Sequence, residues 1–433
     1  MMKISHSLYL CALLSLLLIT TGCGQVNNEE ALNHLALRVA KSYIGAETID
    51  AIETPGSYPK PFNHPLKNIG EGGLNPTHVQ LSLGETGVTD RYVTVLLENA
   101  VENLQLVLVD EGLEKVVTLQ AELPLDEIIG PGSGLSSYTF NLETLMPDTH
   151  YLYALVSDST YSKVYAFDTW PLSTITKIAV FGDLQGYQLK HYTDFRQILE
   201  TMILEEDPQA IMLMGDIVDT GDAKDQWGYY YRATHGISDY LPTLASIGNH
   251  DVKGSRENYE NTFIYPSNGL SELGKSTGYY DLPYARIVVI DTERPSLFMD
   301  QQAWLLKVME DYEEGSKIVM MHRSVYPIFY VEPHMQVWAE VFEAAGIDLV
   351  LSGHDHIYSR TTMNEVTYIV TGSGSGSKFY NQDLSKPWQK FIYDDNQPVS
   401  ILLESNEKGL VVNAYSFSAL EKQRIDHIAI PID

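Results

Sequence analysis

Five short polar clusters, each directly after an apolar run typical of a buried β-strand, most constrain what this chain can fold into. The apolar runs alternate with segments of helical periodicity, which predicts a layered α/β domain over residues 175–433. In open α/β sheets the loops that follow the strands converge at one edge, and ligand sites form there. We therefore expect the clusters to meet in space. They are Gly182-Asp183-Leu184-Gln185, Gly215-Asp216, Gly248-Asn249-His250-Asp251, His322-Arg323 and Gly353-His354-Asp355-His356.

Three helices are predicted between the apolar runs, over Asp194–Glu206, Gln301–Glu313 and Met335–Ala345, because their apolar residues recur at helical spacing. The low-complexity tract Thr371–Ser377 follows a predicted strand. It lacks the Gly-Lys pair of a nucleotide-binding loop, so we interpret it as a tight loop.

The side chains in the five clusters are those that bind metal ions. Any single cluster could be a polar turn, since Gly-Asp and Asn-His pairs are common there. Five clusters in order favour a shared site. Carboxylates, amides and imidazoles without a thiolate suit Zn, Mn or Fe, and they exclude a copper(I) or iron-sulfur site.

The ordered clusters resemble the motifs of the calcineurin-like metallophosphoesterase superfamily, over about residues 175–433. The resemblance is greatest to purple acid phosphatases and their bacterial relatives, because HRSVY and GHDHIYSR look like their later motifs. It implies an α/β (α+β) sandwich of two β-sheets flanked by helices. The stretches NLETLMPDTHYLYAL and FDTWP look like the last strands of the fibronectin-type-III-like (immunoglobulin-like) domain that precedes it in those proteins.

By position, the resemblance implies two divalent or mixed-valence metal ions bridged by Asp216. A bridging carboxylate suits the ion separation of about 3.5–4 Å found in two-metal hydrolases. The implied reaction is hydrolysis of phosphate monoesters or diesters by a metal-bridging hydroxide. One ion would be held by Asp183, Gln185, Asp216 and His356, and the other by Asp216, Asn249, His322 and His354.

Three further residues are candidates for roles near the reacting phosphate. His250 matches the histidine that the family places beside the metals, where it could hydrogen-bond the phosphoryl oxygen or protonate the leaving alkoxide. A purely structural hydrogen bond is the alternative. Asp251 could orient that imidazole. Arg323 could touch the substrate or form an outward salt bridge.

Two positions depart from the family pattern. Most relatives have His where this chain has Gln185, and a neutral amide is a weaker donor, so that ion could be held loosely or without Gln185. Purple acid phosphatases have a tyrosine three residues after the bridging aspartate, and its phenolate binds ferric iron and gives the colour. This chain has Asp219 at that position. We therefore expect a colourless protein, with Mn, Zn or Fe all open as its metals.

Tyrosine is abundant, and several tyrosines fall in segments predicted to surround the site. They could form a stacking wall for an aryl or nucleoside group, or they could simply pack at the bases of loops. The tyrosines are Tyr187, Tyr229, Tyr230, Tyr231, Tyr326, Tyr330 and Tyr358.

Residues 76–172 hold seven short β-rich runs separated by turn residues, a pattern that predicts a small β-sandwich. No catalytic cluster occurs in them. Before them, residues 23–75 contain an amphipathic helical pattern over Glu29–Ile44 and then a Pro- and Gly-rich stretch that predicts a linker.

Residues 1–22 are typical of an export signal, with Lys3 followed by the apolar run Leu8–Ile19. The run is short for a membrane span of about 20 residues. Thr20-Thr21-Gly22-Cys23 resembles a bacterial lipobox, which implies an exported lipoprotein anchored through Cys23 in the periplasm, outer membrane or cell surface. A soluble periplasmic product is the alternative.

The net charge of −29 makes nucleic-acid binding improbable, because the surface repels phosphate backbones. The predicted partner is a small phosphate ester, with membrane contact only through the anchor. Two alternatives are a phosphodiesterase for cyclic nucleotides or phospholipid head groups, and a cell-surface binding protein with a degenerate metal site. Oligomeric state does not follow from the sequence.

Overall fold

The computed structural model describes residues 73–110, 116–121, 134–158, 160–377, 386–419 and 421–432. The predicted export signal, the lipobox cysteine, the N-terminal helix and most of the Pro- and Gly-rich linker lie outside the described residues. Within the described ranges, no helix combines the length and the apolar character that a membrane crossing requires.

The N-terminal part of the structure consists of two antiparallel sheets. Its strands are β1 His78–Leu83, β2 Arg91–Leu97, β3 Gln105–Asp110, β4 Val116–Gln120, β5 Ser136–Leu142, β6 His150–Ser157, β7 Thr160–Tyr161 and β8 Tyr165–Asp168. One sheet has the order β1-β2-β5; the other has the order β4-β3-β6-β7, and β8 also pairs with β6. All seven predicted β-rich runs are strands, and most of their described buried apolar residues share one core, while Leu83 and Leu96 pack in the core of the larger sheets. The fibronectin-type-III assignment stays a prediction.

The rest of the chain forms two larger sheets. The first contains β9 Thr176–Phe181, β10 Ala210–Leu213, β11 Thr243–Ala245, β19 Val399–Asn406, β20 Gly409–Ser418 and β21 Glu421–Pro431, in the order β11-β10-β9-β19-β20-β21. The second contains β12 Gly278–Leu282, β13 Ala285–Ile290, β14 Ser316–Met321, β15 Leu349–Ser352, β16 Tyr358–Met363, β17 Val366–Thr371 and β18 Phe391–Tyr393, in the order β12-β13-β14-β15-β17-β16-β18.

Strand β13 shows why these strands read as continuous apolar runs. Its residues Ile287 and Val289 belong to the core between the two large sheets, whereas Val288 and Ile290 belong to the core under the outer helices. Side chains alternate between the faces of a strand, so a strand covered on both faces must be apolar throughout. The predicted sandwich of two sheets flanked by helices is confirmed.

Five α-helices accompany these sheets: α1 Leu189–Glu206, α2 Lys224–Thr234, α3 Glu257–Thr262, α4 Phe298–Glu310 and α5 Val337–Ala345. The three predicted helices correspond to α1, α4 and α5, with ends shifted by a few residues. Helices α2 and α3 were not predicted. The sequence of α2, KDQWGYYYRAT, has a central Gly and four aromatic residues of modest helix propensity, and its helical state depends on burying Trp227, Tyr230 and Tyr231.

The N-terminal sheets are joined to the two larger sheets by buried contacts on strand β1. Val79 and Leu81 fill the N-terminal core, while the buried His78 stacks on Tyr231 with ring centroids 4.6 Å apart. The backbone of β1 also bonds Ser238: the Leu81 N–H donates to its carbonyl at 2.7 Å, and its hydroxyl donates to the Val79 carbonyl at 2.7 Å. Both faces of β1 are therefore covered.

Candidate metal centre

The predicted ligands lie where parallel strands end. Strands β9, β10 and β11 are parallel neighbours in one sheet, and β13, β14, β15 and β17 are parallel neighbours in the other. The first and last clusters follow β9 and β15, so side chains from both sheets meet at one edge. The convergence expected from the sequence is therefore observed in the backbone topology.

Four of the ligand residues have left-handed backbone conformations, with φ of 45° at Asp183, 52° at Asp216, 74° at His354 and 52° at His356. Such conformations are uncommon outside glycine and cluster at functional sites. They turn each side chain back toward the sheet edge directly after its strand.

Two glycines make this close approach possible. A Cβ on Gly248 would clash with the backbone nitrogen and carboxylate of Asp216, and a Cβ on Gly215 would meet the His322 ring. Gly215 also has a φ of 84°, which disfavours other residues. The glycines in these clusters thus serve packing between ligands as well as turn formation.

The side chains form two groups that share Asp216. Ligand atoms of Asp216, His322 and His354 lie within 4.8 Å of one another, and so do those of Asp183, Asp216 and His356. All are buried except His354, which is half-buried. Carboxylate and imidazole donors in two groups joined by one carboxylate fit a pair of divalent ions.

The two amide residues join these groups. The Asn249 Oδ1 lies 3.1 Å from His322 Nε2, beside the second ion position. The Gln185 Nε2 lies 3.1 Å from Asp216 Oδ2 and 2.8 Å from His356 Nε2. Gln185 can therefore supply an oxygen ligand only if its amide turns over. All seven predicted ligands are brought together, and the ligation itself stays a prediction.

The surrounding hydrogen bonds orient His322 and support Asp183. The Nδ1 of His322 lies 2.8 Å from the Met214 carbonyl, which can only accept, so Nδ1 carries the hydrogen and Nε2 points to Asp216 at 3.3 Å. The backbone N–H of His354 donates to both carboxylate oxygens of Asp183, at 3.1 and 2.9 Å.

Charges at the centre are strongly coupled. Burial opposes ionisation of Asp216, but the neighbouring His322 holds the pKa of the Asp216 carboxyl below its usual range. Burial likewise opposes protonation of His322, but Asp216 and Asp183 raise the pKa of its imidazole to about 10. Burial, together with the charges of His322 and Arg323, lowers the pKa of His354 to about 2. Asp216 and His322 therefore stabilise each other's charged forms.

His250 lies at the edge of this centre. Its backbone N–H donates to Asp216 Oδ1 at 2.7 Å, which braces the shared carboxylate. Its Nδ1 lies 2.8 Å from the Asp219 carbonyl and 3.3 Å from the Asp219 carboxylate. Because a carbonyl only accepts, Nδ1 donates a hydrogen to it. The Lys253 amine also contacts this ring.

The orienting role predicted for Asp251 is wrong. Its buried carboxylate accepts hydrogen bonds from the backbone N–H groups of Ile217 at 2.8 Å, Val218 at 3.2 Å and Gly248 at 2.9 Å. It ties the loop after β10 to the loop after β11, while Asp219 faces the His250 ring. Burial, reinforced by the charge of Asp216, raises the pKa of Asp251 to about 8.

Arg323 forms salt bridges, but they lie beside His354 and are not outward, and its contact with the substrate stays a prediction. Its guanidinium pairs with both carboxylate oxygens of Glu293, at 2.8 and 3.0 Å, and with Glu332. The Nη1 of Arg323 also lies 3.4 Å from His354 Nε2, so Arg323 and its two glutamate partners lie beside the candidate metal centre. Glu293 was not singled out in the sequence, because it lies outside the ordered clusters.

Two groups that support the site through hydrogen bonds were not predicted from the sequence. The tract Thr371–Ser377 is a loop, as predicted, but it also braces the first cluster: the Gly374 N–H donates to the Gly182 carbonyl at 2.6 Å, and the Ser373 hydroxyl to the Asp183 carbonyl at 3.2 Å. Asp355, between two ligands, binds a neighbouring loop. Its position inside the last cluster was the available signal.

Comparison with known proteins agrees with this geometry. Residues 176–358 match the family model described as Calcineurin-like phosphoesterase. Purple acid phosphatase 15 of Arabidopsis thaliana is 25% identical over 310 residues, covering 58% of this chain and 56% of the relative. An uncharacterized protein of Mycobacterium tuberculosis is 23% identical over 266 residues, covering 51% of this chain and 50% of the relative. The chain spans about half the length of these curated relatives.

Two solved structures share the fold. Purple acid phosphatase PPD1 from yellow lupin seeds superposes with a TM-score of 0.67 at 17% identity, covering 83% of this chain and 74% of the lupin chain. PhoD superposes with a TM-score of 0.60 at 11% identity, covering 82% of this chain and 93% of its own. The matched residues 176–358 contain every predicted ligand from Asp183 to His356, and over this range the chain is similar to calcineurin-like phosphoesterases and to a purple acid phosphatase.

Proposed function

We propose that this chain is an exported two-metal phosphoesterase that hydrolyses phosphate monoesters or diesters. The observation that carries the proposal is the position of Asp216, whose carboxylate belongs to both ligand groups. Two bound divalent ions would lower the pKa of water and neutralise charge on the phosphoryl oxygens. The gathering of all seven predicted donors supports an enzyme over the binding protein with a degenerate site.

The chain's own residues have distinct tasks in this proposal. Asp216, braced by the His250 N–H at 2.7 Å, would contribute its carboxylate to both ions. The His250 imidazole, with Nδ1 2.8 Å from the Asp219 carbonyl, would in its doubly protonated form give a proton to the leaving alkoxide. Arg323 stays paired with Glu293 and Glu332 and contributes positive charge beside His354.

The donor set supports Mn, Zn or Fe as the metals, because it contains carboxylate, imidazole and amide groups and no thiolate. Asp219 occupies the position at which purple acid phosphatases have the tyrosine that binds ferric iron and gives the colour. The Asp219 side chain faces His250. We therefore expect the metal-loaded protein to be colourless, which an absorption spectrum of the protein as purified would test.

Export and lipid anchoring are part of the proposal and rest on the sequence of residues 1–23. The short apolar run and the Thr-Thr-Gly-Cys end support cleavage before Cys23 and lipid attachment to its thiol. Mass spectrometry of the mature N-terminus would test this. We expect a lipid-modified Cys23 in the wild type and a full-length precursor in Cys23→Ala; an unmodified mature chain would contradict anchoring.

The test of the activity compares the full chain with two variants. The wild type loaded with Mn or Zn should hydrolyse an aryl phosphate or a bis-aryl phosphate, and His322→Ala should abolish turnover because it removes a buried ligand from the centre. Asp300→Asn, an exposed carboxylate on α4, is the matched control and should keep full activity. No hydrolysis by the loaded wild type, or equal rates in His322→Ala, would contradict the proposal.

A substrate panel separates the diesterase alternatives from a general phosphatase. Cyclic nucleotides and phospholipid head-group esters should be compared with simple monoesters under the same metal loading. A preference of more than about a hundredfold for either special class would replace the general assignment, since that ratio corresponds to about 2.7 kcal/mol of selective transition-state binding.

A further inference from the structure

Tyr330 lies beside the candidate metal centre and is partly exposed. The Tyr330 ring lies 4.9 Å from the His354 imidazole, measured between centroids, and 42% of the residue is exposed. Tyr230, Tyr231 and Tyr358 are buried, so three of the seven tyrosines of the predicted wall are ordinary packing. Tyr187 is also exposed and hydrogen-bonds Asp219, whereas the Tyr330 ring contacts the predicted ligand His354.

The backbone that carries Tyr330 is held in place by Asp355. The buried Asp355 carboxylate accepts hydrogen bonds from three consecutive backbone N–H groups, those of Ile328, Phe329 at 3.1 Å and Tyr330 at 3.3 Å. Asp355 stands between the ligands His354 and His356 in the sequence. The segment bearing Tyr330 is thus tied directly to the metal-binding loop, which presents the ring at a defined position.

The charge around Tyr330 is unfavourable for a second anion. Arg323 is the nearby cation, and it is already paired with both Glu293 and Glu332. The positive charge of Arg323 is therefore already matched by carboxylates. A second anionic group on the leaving group would find no uncompensated charge on Arg323, whereas an uncharged ring needs none.

We propose that Tyr330 is a specificity-determining residue that receives a flat, uncharged aromatic ring of the substrate's leaving group. The proposal rests on the proposed phosphoesterase function, because the phosphoryl group must sit at the metal centre for the ring to reach Tyr330. A ring stacked on an aromatic side chain that is already held in place gains binding without a further ordering cost. Esters of phenols and of uncharged heteroaromatic alcohols are the favoured class.

The kinetic test uses two esters with leaving alcohols of similar acidity, phenyl phosphate and hexafluoroisopropyl phosphate. Tyr330→Leu should raise the KM for phenyl phosphate about tenfold while changing the fluoroalkyl ester less than about twofold, because only the aryl ester stacks. Tyr330→Phe keeps the ring and should match the wild type on both esters. Met299→Ala, an exposed apolar residue on α4, is the control.

A binding measurement separates this proposal from the activity itself. Calorimetry on the metal-loaded protein should show phenylphosphonate binding about tenfold more tightly than methylphosphonate, and Tyr330→Leu should abolish that preference. If the protein hydrolyses nothing but shows this preference, the phosphoesterase function fails and the aromatic subsite stands. Equal losses on both esters, equal loss in Tyr330→Phe, or no phenyl preference in binding would overturn the subsite.

Discussion

The two ends of strand β11 lead to regions of opposite character. Before the strand, Ser238 and Asp239 meet the N-terminal part through hydrogen bonds, such as the Tyr153 hydroxyl donating to the Asp239 carbonyl at 2.7 Å, and through a salt bridge between Lys163 and Asp239 at 3.0 Å. After the strand, Asn249 and His250 enter a centre of buried carboxylates and imidazoles. The contact before the strand stabilises the fold, whereas the loop after the strand places ionisable side chains close together in a buried site.

The difference lies in what each region needs from outside the chain. At the metal centre, four residues have left-handed backbone conformations, each of which costs about 1–3 kcal/mol outside glycine. Buried carboxylates add a desolvation cost that a cation offsets. At the N-terminal contact, stacked rings and paired backbone groups are complete without a ligand. A metal should therefore stabilise one region and leave the other unchanged.

The largest expected effect concerns the shared carboxylate. Asp216→Asn should remove both ions, whereas His356→Ala should remove one, because Asp216 belongs to both ligand groups and His356 to one. Turnover in Asp216→Asn should fall by about a thousandfold or more, since the charge stabilisation at the phosphoryl group is lost. Elemental analysis of the purified variants measures the stoichiometry. Equal metal content in the two variants would break the shared-ligand interpretation.

The second effect tests the N-terminal contact through pH. Burial lowers the pKa of His78 from 6.5 to about 4, so between these values the unfolded chain binds a proton that the folded chain does not. Stability is then complete above pH 6.5 and is lost as the pH falls toward 4, by about 3 kcal/mol for this group. Urea unfolding at several pH values should show a flatter dependence in His78→Phe.

The exposed His427 on β21 supplies the control for that experiment. His427→Phe should leave the pH dependence of the free energy of unfolding as it is in the wild type. If His78→Phe and the wild type lose the same stability between pH 6.5 and 4, His78 is not kept neutral by its burial. The contact would then owe its stability to the other paired groups.

A third experiment probes how tightly the ligands are packed. Gly248→Ala places a methyl group against Asp216, so the free energy of unfolding should fall by about 2 kcal/mol and the metal should be lost. Gly228→Ala on helix α2 has no atom within 4 Å of the added methyl and should gain up to about 1 kcal/mol. Chemical denaturation of both variants measures the contrast. A stable, metal-bound Gly248→Ala would contradict the packing argument.

The smallest effect is expected at a single hydrogen bond. Tyr153→Phe removes the donor to the Asp239 carbonyl and should cost about 1 kcal/mol of stability without changing turnover. Tyr368→Phe is the matched control, because its buried hydroxyl makes no hydrogen bond among the described residues. It should leave stability unchanged or raise it slightly. Equal losses in the two variants would show that the contact gains nothing from this bond.

The sequence predicted the strands and the convergence of the polar clusters better than the helices and the supporting groups. Strands such as β13 were visible because burial on both faces requires unbroken apolar runs. Helix α2 was missed because its aromatic residues have weak helical propensity, and only their burial stabilises the helix. The role of Asp251 was misassigned because adjacency to His250 in sequence does not say which way its carboxylate points.

By itself, the sequence determined that polar donor residues end successive buried strands, and parallel strands can only bring such ends to one edge. Three contacts at the site follow only from the tertiary structure. They are the salt bridge between Arg323 and Glu293, the contact of Asp219 with His250, and the ring contact of Tyr330 with His354. These contacts join residues from separate loops, whose conformations depend on packing and long-range hydrogen bonds. Local sequence periodicity does not predict such long-range contacts. The candidate ligands could therefore be predicted from the sequence, whereas the groups around them could be identified only in the tertiary structure.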